Sequence, residues 1–250
     1  MKFLVIGDSC TDIFNYGECD RICPEAPVPV FNPVEETSNG GMAKNVQANV
    51  LALGAECDII TNRNHITKSR YVDLKTNQML LRVDENDQTV ERFKKEESNL
   101  PLYDAVIISD YNKGFLTNLD ISWICSHHDY TFVHSKKNFI LPLGHNMRFF
   151  IINQQEYEKS KDHYKKDNEE LDNIWMDKLI VTQGEEGCRY QKELHPAFKV
   201  REVQDLSGAG DTFLAAFAVN VMTSKSASRA LDFANKCASR VVTKRGVTTV

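Results

Sequence analysis

Residues 205–218 read DLSGAGDTFLAAFA, with three small residues near the start, a carboxylate on either side of them and an apolar run behind. The apolar run predicts a helix over residues 212–221, and Gly208, Ala209 and Gly210 lead into it. Backbone N–H groups at the N-terminus of a helix bind anions, and small side chains let the anion approach. The stretch therefore predicts an anion hole that can stabilise a transferring phosphoryl group.

Asp211 directly follows this predicted anion hole. In the first turn of the helix its carboxylate can accept the proton of an attacking hydroxyl group, which is the role of a general base. The alternative interpretation is that Asp205 and Ser207 only cap the helix, while the glycines form a tight turn. The motif alone favours neither interpretation.

Short apolar segments of β type alternate with segments of helix length along the chain: FLVIG, CDIIT, AVIIS, TFVHS, FFIIN and KLIVTQG. This alternation predicts an α/β fold, a three-layer sandwich whose central, mostly parallel sheet is covered by helices on both faces. Residues 105–108 are continuously apolar, as a strand buried on both faces requires. Residues 41–53 carry apolar side chains at helical spacing and predict a helix that ends at Gly54.

Two regions depart from this alternation. Residues 23–36, CPEAPVPVFNPVEE, contain four of the 7 prolines and suit an edge strand or flap. Residues 75–87, KTNQMLLRVDEND, form a second strand-like run that could pair with the first. Together they predict a small β lid, residues 16–38 and 68–88, on a single domain that spans residues 1–250.

Composition excludes several classes of protein. The net charge of −5 gives no electrostatic footprint for nucleic acid or an anionic membrane, and no apolar run reaches the length of a membrane span. The 7 cysteines are scattered, and Cys19 and Cys23 lack the second ligand pair that a zinc site needs. We expect a soluble cytoplasmic protein with reduced thiols.

The stretch DLSGAGDTF resembles the D-T-x-G-A-G-D signature of the ribokinase-like (PfkB) carbohydrate kinases. Within that family the chain is similar to the D-glycero-D-manno-heptose 7-phosphate kinases of ADP-heptose biosynthesis, nearly from end to end. The similar segments are GDSCTDIFNYGECDRICPEAPVPV, NGGMAKNVQANVLALGA, TKSRYVDLKTNQMLLRVDEND, IISDYNKGFLT, VTQGEEG and FANKCASRVVTKRGVTTV. The resemblance implies a ribokinase-like kinase that uses ATP and Mg²⁺ to phosphorylate a sugar or sugar phosphate. The acceptor that it favours is heptose 7-phosphate, phosphorylated at the anomeric hydroxyl.

The resemblance also implies roles for individual residues on the sugar side. Asp12 matches an aspartate that binds sugar hydroxyls, and a carboxylate suits this because it accepts hydrogen bonds from two hydroxyls. Gly40 and Gly41 match the diglycine hinge of the lid, and Asn45 matches an asparagine that touches the sugar. Lys44 precedes Asn45 and could pair with a substrate oxygen.

Basic residues supply candidates for the phosphate of the substrate. Arg70 and Arg82 lie in the predicted lid, although exposed strand charges are an equally good interpretation of each. Lys113 matches the family's D-Y-x-K-G motif. Lys136 is what remains of a D-P-K motif, in which His134 and Ser135 replace the first two residues.

For the nucleotide, INQQEYE resembles an N-x-x-E motif, so Asn153 is a candidate for nucleotide binding and Glu156 for holding Mg²⁺ through water. Thr182, Gly184 and Gly187 in VTQGEEG match the strand and turn that line the ATP cleft.

Three further residues rest mainly on the resemblance. Asn235 matches a residue beside the adenine, although an asparagine in mid-helix otherwise usually faces solvent. Asp205 and Ser207, with the chain near Arg245 and Gly246, lie where many members bind a monovalent cation such as K⁺.

Several departures from the family pattern keep alternatives open. Three departures reduce the amount of structure expected around the sugar: the HSKK sequence, the short connection before residue 67 and the end of the sequence at Val250. At this length we expect no second domain for nucleotidyl transfer. Other ribokinase-like sugar or nucleoside kinases, and a catalytically idle sugar-phosphate- or nucleotide-binding homologue, are the alternatives. Because a projecting flap exposes a sheet edge, we expect a homodimer that pairs through the lids.

Overall fold

The computed structural model describes residues 1–89, 91–137, 147–164 and 178–250, and its central sheet has eight strands. In spatial order they are β12 (Glu193–His195), β11 (Cys188–Tyr190), β10 (Leu179–Thr182), β9 (Met147–Asn153), β8 (Thr131–Ser135), β7 (Ala105–Asp110), β1 (Lys2–Gly7) and β4 (Glu56–Thr61). The strands from β10 to β4 pair in parallel, and β11 and β12 add an antiparallel edge. The carboxyl ends of the parallel strands therefore meet at one edge, where α/β proteins bind ligands.

Helices cover both faces of this sheet, which confirms the predicted three-layer sandwich. The helices described are α1 (Ala43–Ala52), α2 (Asn118–His127), α3 (Gln154–Tyr164), α4 (Ala209–Ser224) and α5 (Ala227–Val241). Phe3 and Val5 of β1 pack with α1, α4 and α5, whereas Leu4 and Ile6 pack with α2 on the opposite face. Because successive side chains of a strand point to opposite faces, the continuous apolar run of β1 fills both layers of core.

The helix predicted at residues 212–221 is the inner part of α4. Its apolar residues leave it no polar face, and it packs between the sheet, α1 and α5. The helix begins three residues earlier than predicted, because Gly208 adopts a left-handed conformation with φ +79° and turns the chain into it.

Most of the residues predicted to form the lid belong to a second sheet, which we call the lid sheet or lid. Its four strands are, in spatial order, β3 (Asn32–Met42), β2 (Ser9–Glu18), β5 (Thr67–Asp73) and β6 (Met79–Glu85). The predicted pairing of residues 75–87 with the proline-rich run is wrong. Instead β6 pairs antiparallel with β5, because a tight turn with Asn77 at φ +58° joins the two strands. Residues 19–31 contribute only an isolated bridge between Ile22 and Pro29, since proline has no N–H to donate to a ladder.

The lid sheet continues directly into the body of the molecule at two places. Only Asp8 separates β1 from β2, so the sheet draws on residues that precede the predicted lid ranges. At the other junction Met42 is both the last residue of β3 and the N-cap of α1, with φ +60°. No helix among the described residues is long and apolar enough to cross a membrane.

Candidate active site

The catalytic candidate Asp211 lies in the first turn of α4, and its side chain is buried. Its carboxylate accepts a hydrogen bond of 2.7 Å from the Tyr111 hydroxyl and one of 3.1 Å from Asn45 Nδ2. Burial raises the pKa of Asp211, and these two hydrogen bonds oppose that rise. Burial and the neighbouring Asp211 hold the pKa of Tyr111 well above its usual value, so the phenol remains a donor.

The predicted anion hole lies at the N-terminus of α4, where one of its amides already has a backbone partner. Ala209 N–H donates to the Leu206 carbonyl at 3.3 Å. Within the described part of the chain, the amides of Gly208, Gly210 and Asp211 donate to no backbone carbonyl. They are the donors that an anion can meet at this helix terminus.

The two glycines of the hole are needed for different reasons. A Cβ at Gly208 would lie 2.6 Å from Asn45 Nδ2, and φ there is positive. A Cβ at Gly210 would meet no atom within 4 Å, so this residue leaves open space in front of the helix. Gly208 makes room for Asn45, whereas the space beside Gly210 is open.

Tyr111 is held in place by a buried carboxylate at the carboxyl edge of the sheet. Asp8 accepts hydrogen bonds from the backbone amides of Tyr111 at 2.8 Å, Lys113 at 3.2 Å and Phe115 at 3.2 Å. Burial raises the pKa of Asp8, and these amide bonds lower it. Neither Asp8 nor Tyr111 was assigned a role from the sequence, although both lie inside the family-like segments that begin with GDSCTD and IISDYNKG.

The sugar-side candidates form an ion pair inside the lid. Asp12 on β2 accepts a hydrogen bond of 2.6 Å from Arg70 on β5, and the guanidinium lies 4.9 Å from the centre of the Phe14 ring. A Cβ at Gly41 would come within 2.0 Å of Asp12 Oδ2, so the glycine lets β3 close over this carboxylate. Arg70 therefore orients Asp12 in this structure.

Of the other two candidates near the predicted hinge, Lys44 lies at the surface and Gly40 is half-buried. Lys44 is exposed at the start of α1, and a Cβ at Gly40 would lie 2.7 Å from its Cβ. Both Gly40 and Gly41 belong to β3 and pair with Thr11 and Cys10 of β2.

Among the remaining basic candidates, two are paired with carboxylates. Arg82 is exposed and binds Asp84 through Nε at 2.8 Å and Nη2 at 3.0 Å. Lys113 forms an ion pair of 2.5 Å with Asp87. The sequence interpretation missed Lys68, which contacts Asp84 and Asp87 from β5, because its partners lie 16 and 19 residues away in sequence.

Lys136 is a cation beside the catalytic candidate. Its ammonium lies 4.1 Å from the centre of the Tyr111 ring, and it is exposed within the cleft. The surrounding protein partly desolvates the ammonium and lowers its pKa, whereas Glu156 and Asp211 raise it. His134, which replaces the family's aspartate, packs on Tyr111 at 5.6 Å between ring centres.

Three of the predicted nucleotide residues, Asn153, Thr182 and Gly184, line a cavity of about 460 Å³ beyond the ends of β9 and β10. It is lined by Asn153, Gln154, Gln155, Thr182, Gln183, Gly184 and Glu186. Asn153 Oδ1 accepts from the Glu156 amide at 2.9 Å, and Glu156 Oε2 accepts from the Asn153 amide at 2.9 Å. The N-x-x-E motif is thus a reciprocal cap of α3, in the manner of a capping box.

Two more nucleotide candidates shape the turn beside β12. Gly187 has φ +106°, and a Cβ there would lie 2.1 Å from the His195 carbonyl oxygen. Asn235 is buried in α5, and its Nδ2 donates to the His195 carbonyl at 2.9 Å and to the Pro196 carbonyl at 3.3 Å. The solvent-facing interpretation of Asn235 is therefore wrong, because its amide fixes this turn.

The predicted cation residues form a turn before α4. Asp205 Oδ1 accepts a hydrogen bond from the Ser207 amide at 2.7 Å. In the described ranges no hydrogen bond reaches the backbone carbonyls of Asp205 and Ser207, so these oxygens are available. No group of three or more His, Cys, Asp or Glu side chains able to hold a metal ion occurs among the described residues.

Comparison with known proteins assigns this site to a family. Residues 56–250 match the pfkB family carbohydrate kinase. The chain belongs to the pfkB carbohydrate kinase family. Asp211 and the anion hole lie inside the matched residues, whereas Asp12 and Asn45 precede them.

One relative of this pfkB kinase is Bifunctional protein HldE from a Nitratiruptor species, with 32% identity over 297 residues, 99% of this chain and 63% of the relative. The chain spans less than two thirds of the length of the curated relatives it matches first. The pfkB kinase is therefore similar to one part of longer proteins.

Solved structures agree on the fold. Ribokinase from Thermotoga maritima has a TM-score of 0.73 and 19% identity over 98% of this chain and 94% of its own. Ribokinase from Arabidopsis thaliana, complexed with ribose and ATP, has a TM-score of 0.69 and 15% identity over 98% of this chain and 93% of its own. This pfkB kinase thus has the ribokinase-like fold.

Proposed function

We propose that this pfkB kinase transfers the γ-phosphoryl group of ATP to the anomeric hydroxyl of a heptose 7-phosphate. The observation that carries the phosphoryl transfer is the buried Asp211 at the start of α4, with the open space at Gly210 in front of it. The heptose is supported by the sequence resemblance to heptose 7-phosphate kinases and by the 32% identity to an HldE protein. The acceptor is thus a sugar that already carries a phosphate.

In the proposed mechanism Asp211 takes the proton of the anomeric hydroxyl. The sugar oxygen forms a bond to the γ-phosphorus as the bond from that phosphorus to the ADP oxygen breaks. The amides of Gly210 and Asp211 and the ammonium of Lys136 stabilise the charge on the phosphoryl oxygens. Asp12, oriented by Arg70, accepts hydrogen bonds from sugar hydroxyls.

The nucleotide is placed in the cavity of about 460 Å³ beside Thr182 and Gly184, which adjoins the cap of α3. The negative charge of Glu156 raises the pKa of Lys136. One of its oxygens caps α3, and the other is left to order the waters of a Mg²⁺ ion. Mg²⁺ would neutralise charge on the nucleotide phosphates.

A monovalent cation such as K⁺ suits the turn before α4. The available carbonyl oxygens of Asp205 and Ser207 are hard donors of the kind that such ions bind. Because Asp205 lies shortly before α4, a cation bound there would add positive charge close to the N-terminus of the helix that carries Asp211.

The lid favours a homodimer. Leu81, Val83 and Tyr71 share the face of the lid sheet opposite to Asp12, and Leu81 and Val83 are exposed. Exposed apolar side chains on a sheet next to an open edge favour pairing with a second subunit. The 7 thiols, none of them paired, support a reducing cytoplasmic location.

The first test of the function is ADP release from MgATP with a panel of acceptors. We expect turnover with D-glycero-D-manno-heptose 7-phosphate and much slower turnover with hexoses, pentoses and nucleosides. Turnover with one of those other acceptors alone would assign a different ribokinase-like activity. ATP binding without turnover on any acceptor would indicate an idle homologue.

Replacement of Tyr111 by phenylalanine is expected to change the pH dependence. The Tyr111 hydrogen bond lowers the pKa of Asp211, so its loss raises that pKa further. The base works ionised, so activity is lost as pH falls through the pKa of Asp211. The acidic limb of the kcat/KM profile should therefore move to higher pH.

The matched control for this change is Tyr103→Phe, which removes a hydroxyl bonded to Asp58 at 2.9 Å. Its pH profile should coincide with that of the wild type. If the acidic limb of the kcat/KM profile did not shift in Tyr111→Phe, the ionisation seen in that limb would not be that of Asp211.

Replacement of Gly41 by alanine tests the sugar site. The new Cβ would collide with Asp12 Oδ2, and the carboxylate must move. We expect kcat/KM for the sugar to fall by up to about 10²-fold, the effect of a misplaced binding group. Ser38→Ala on the same strand is the control. Equal kcat/KM values in the two variants would show that Asp12 does not bind the sugar.

A further inference from the structure

Four charged side chains meet where the lid touches the loop after β7. Lys68 Nζ lies 2.8 Å from Asp84 Oδ2 and 2.8 Å from Asp87 Oδ1. The other oxygen of Asp87, Oδ2, lies 2.5 Å from Lys113 Nζ. We call Lys68, Lys113 and Asp87 the lysine clasp, because one carboxylate joins a lysine of the lid to a lysine of the body.

The lysine clasp is part of the active-site cleft. Desolvation in the cleft, and then the positive charges of Lys113 and Lys68, lower the pKa of Lys136, which also responds to Asp211. Asp12 and Lys68 are register partners on β2 and β5, so they share the inner face of the lid. Lys113 follows Tyr111, the hydrogen-bond partner of Asp211, by two residues.

Stability alone does not account for this arrangement. The Lys68 side chain is only 9% exposed, and a buried ion pair stabilises a fold little better than apolar residues of similar size. The proposed mechanism already assigns Lys136 to the transferring phosphoryl group. The two lysines of the clasp are therefore available for additional negative charge on the acceptor.

We propose that Lys68 and Lys113 bind the phosphate that the sugar already carries, and that Asp87 is the resident counter-ion which this phosphate displaces. The inference rests on the proposed function, because it assigns residues to the acceptor's own phosphate. A phosphate dianion offers three acceptor oxygens and more charge than one carboxylate, so it complements two ammonium groups better.

Asp87 is able to move its side chain away from the two lysines. It lies in the loop after β6, and its side chain is 34% exposed, so it can turn to solvent. Asp84 keeps its own contact with Lys68 and with Arg82, so Lys68 retains a partner. An unphosphorylated sugar leaves Asp87 in place, and this distinction gives selectivity for phosphorylated acceptors.

The test compares acceptors with and without the distal phosphate in full-length variants. Lys68→Met should raise the KM for heptose 7-phosphate about tenfold or more, as expected for a lost charged hydrogen bond. It should raise the KM for unphosphorylated heptose much less. Asp87→Asn should shift the ratio of the two KM values in the opposite direction, because it removes the competing charge.

The matched controls are Lys75→Met and Asp20→Asn, which remove an exposed ion pair of the lid. Neither should change the ratio of KM values. A Lys68→Met enzyme in which both KM values rise equally, or neither rises, overturns the inference while leaving the kinase function intact.

A second measurement does not depend on turnover. Inorganic phosphate should raise the thermal unfolding midpoint of the wild type and of both controls, and should do so much less in Lys68→Met and Lys113→Met. The enzyme could fail to turn over heptose 7-phosphate while phosphate still stabilises the lysine variants less than the wild type. That result would support the anion site and contradict the proposed substrate. Equal stabilisation of all variants by phosphate overturns the inference.

Discussion

Replacement of Asp211 by asparagine is expected to lower kcat by about 10²–10⁴-fold, the usual contribution of a general base. The amide preserves the shape of the side chain and can still accept from Asn45 Nδ2, whose present bond is 3.1 Å long. It cannot take the proton of the sugar hydroxyl. The measurement is single-turnover ADP formation with saturating MgATP and acceptor.

The same substitution is expected to leave the fold at least as stable. Burial raises the pKa of Asp211, so the folded state disfavours the ionised carboxylate relative to the unfolded chain. That destabilisation sets in as pH rises above the unfolded pKa, and it is complete above the folded one. At neutral pH the asparagine variant should unfold at an equal or higher temperature than the wild type.

Asp20→Asn, at an exposed ion pair of the lid, is the control for loss of a negative charge. It should keep wild-type turnover. An Asp211→Asn enzyme that is folded and retains most of its activity would falsify the assignment of the base.

The second large effect is expected from Gly210→Ala. A Cβ there meets no atom within 4 Å, and alanine is favoured over glycine within a helix by about 0.5–1 kcal/mol. The variant should therefore be as stable as the wild type or more stable. In the proposed mechanism the methyl group occupies space that the phosphoryl group at the helix amides needs, so kcat should fall by about 10²-fold, as for loss of one oxyanion-hole donor.

Gly208→Ala provides the contrast. It places a Cβ 2.6 Å from Asn45 Nδ2 at a residue with φ +79°, so it should lose both stability and activity. Thermal unfolding and turnover, measured on the two variants together, separate the roles of the two glycines. Full activity in Gly210→Ala would mean that the phosphoryl group does not approach this end of α4.

The sequence was sufficient to predict the sheet, because each strand of the parallel sheet is a short apolar run and fills a core on both faces. The helix that carries Asp211 could also be predicted, since its apolar residues are contiguous. Tyr111 and Lys68 were missed because their roles depend on contacts between distant segments: Tyr111 reaches Asp211 from 100 residues away, and Lys68 depends on the register of β5 and β6.

Two motifs show where local patterns are ambiguous. The N-x-x-E sequence of Asn153 and Glu156 resembles a ligand set, yet the same spacing also caps a helix, and the structure has that cap. Asn235 in mid-helix resembles a solvent-facing residue, yet the turn after β12 lies against it. The sequence shows which residues occupy such positions, but only the packing of neighbouring elements shows what those residues contact.

The junction of β3 with α1 consists of Met42 alone, and Asn45 follows three residues later. Such a short connection leaves no slack, so a rotation of the lid sheet must reorient the first turn of α1 and the amide that holds Asp211. Acceptor binding and alignment of the base are therefore expected to occur together. An ATP molecule that arrives without a sugar meets a misaligned base, and we expect its wasteful transfer to water to be slow.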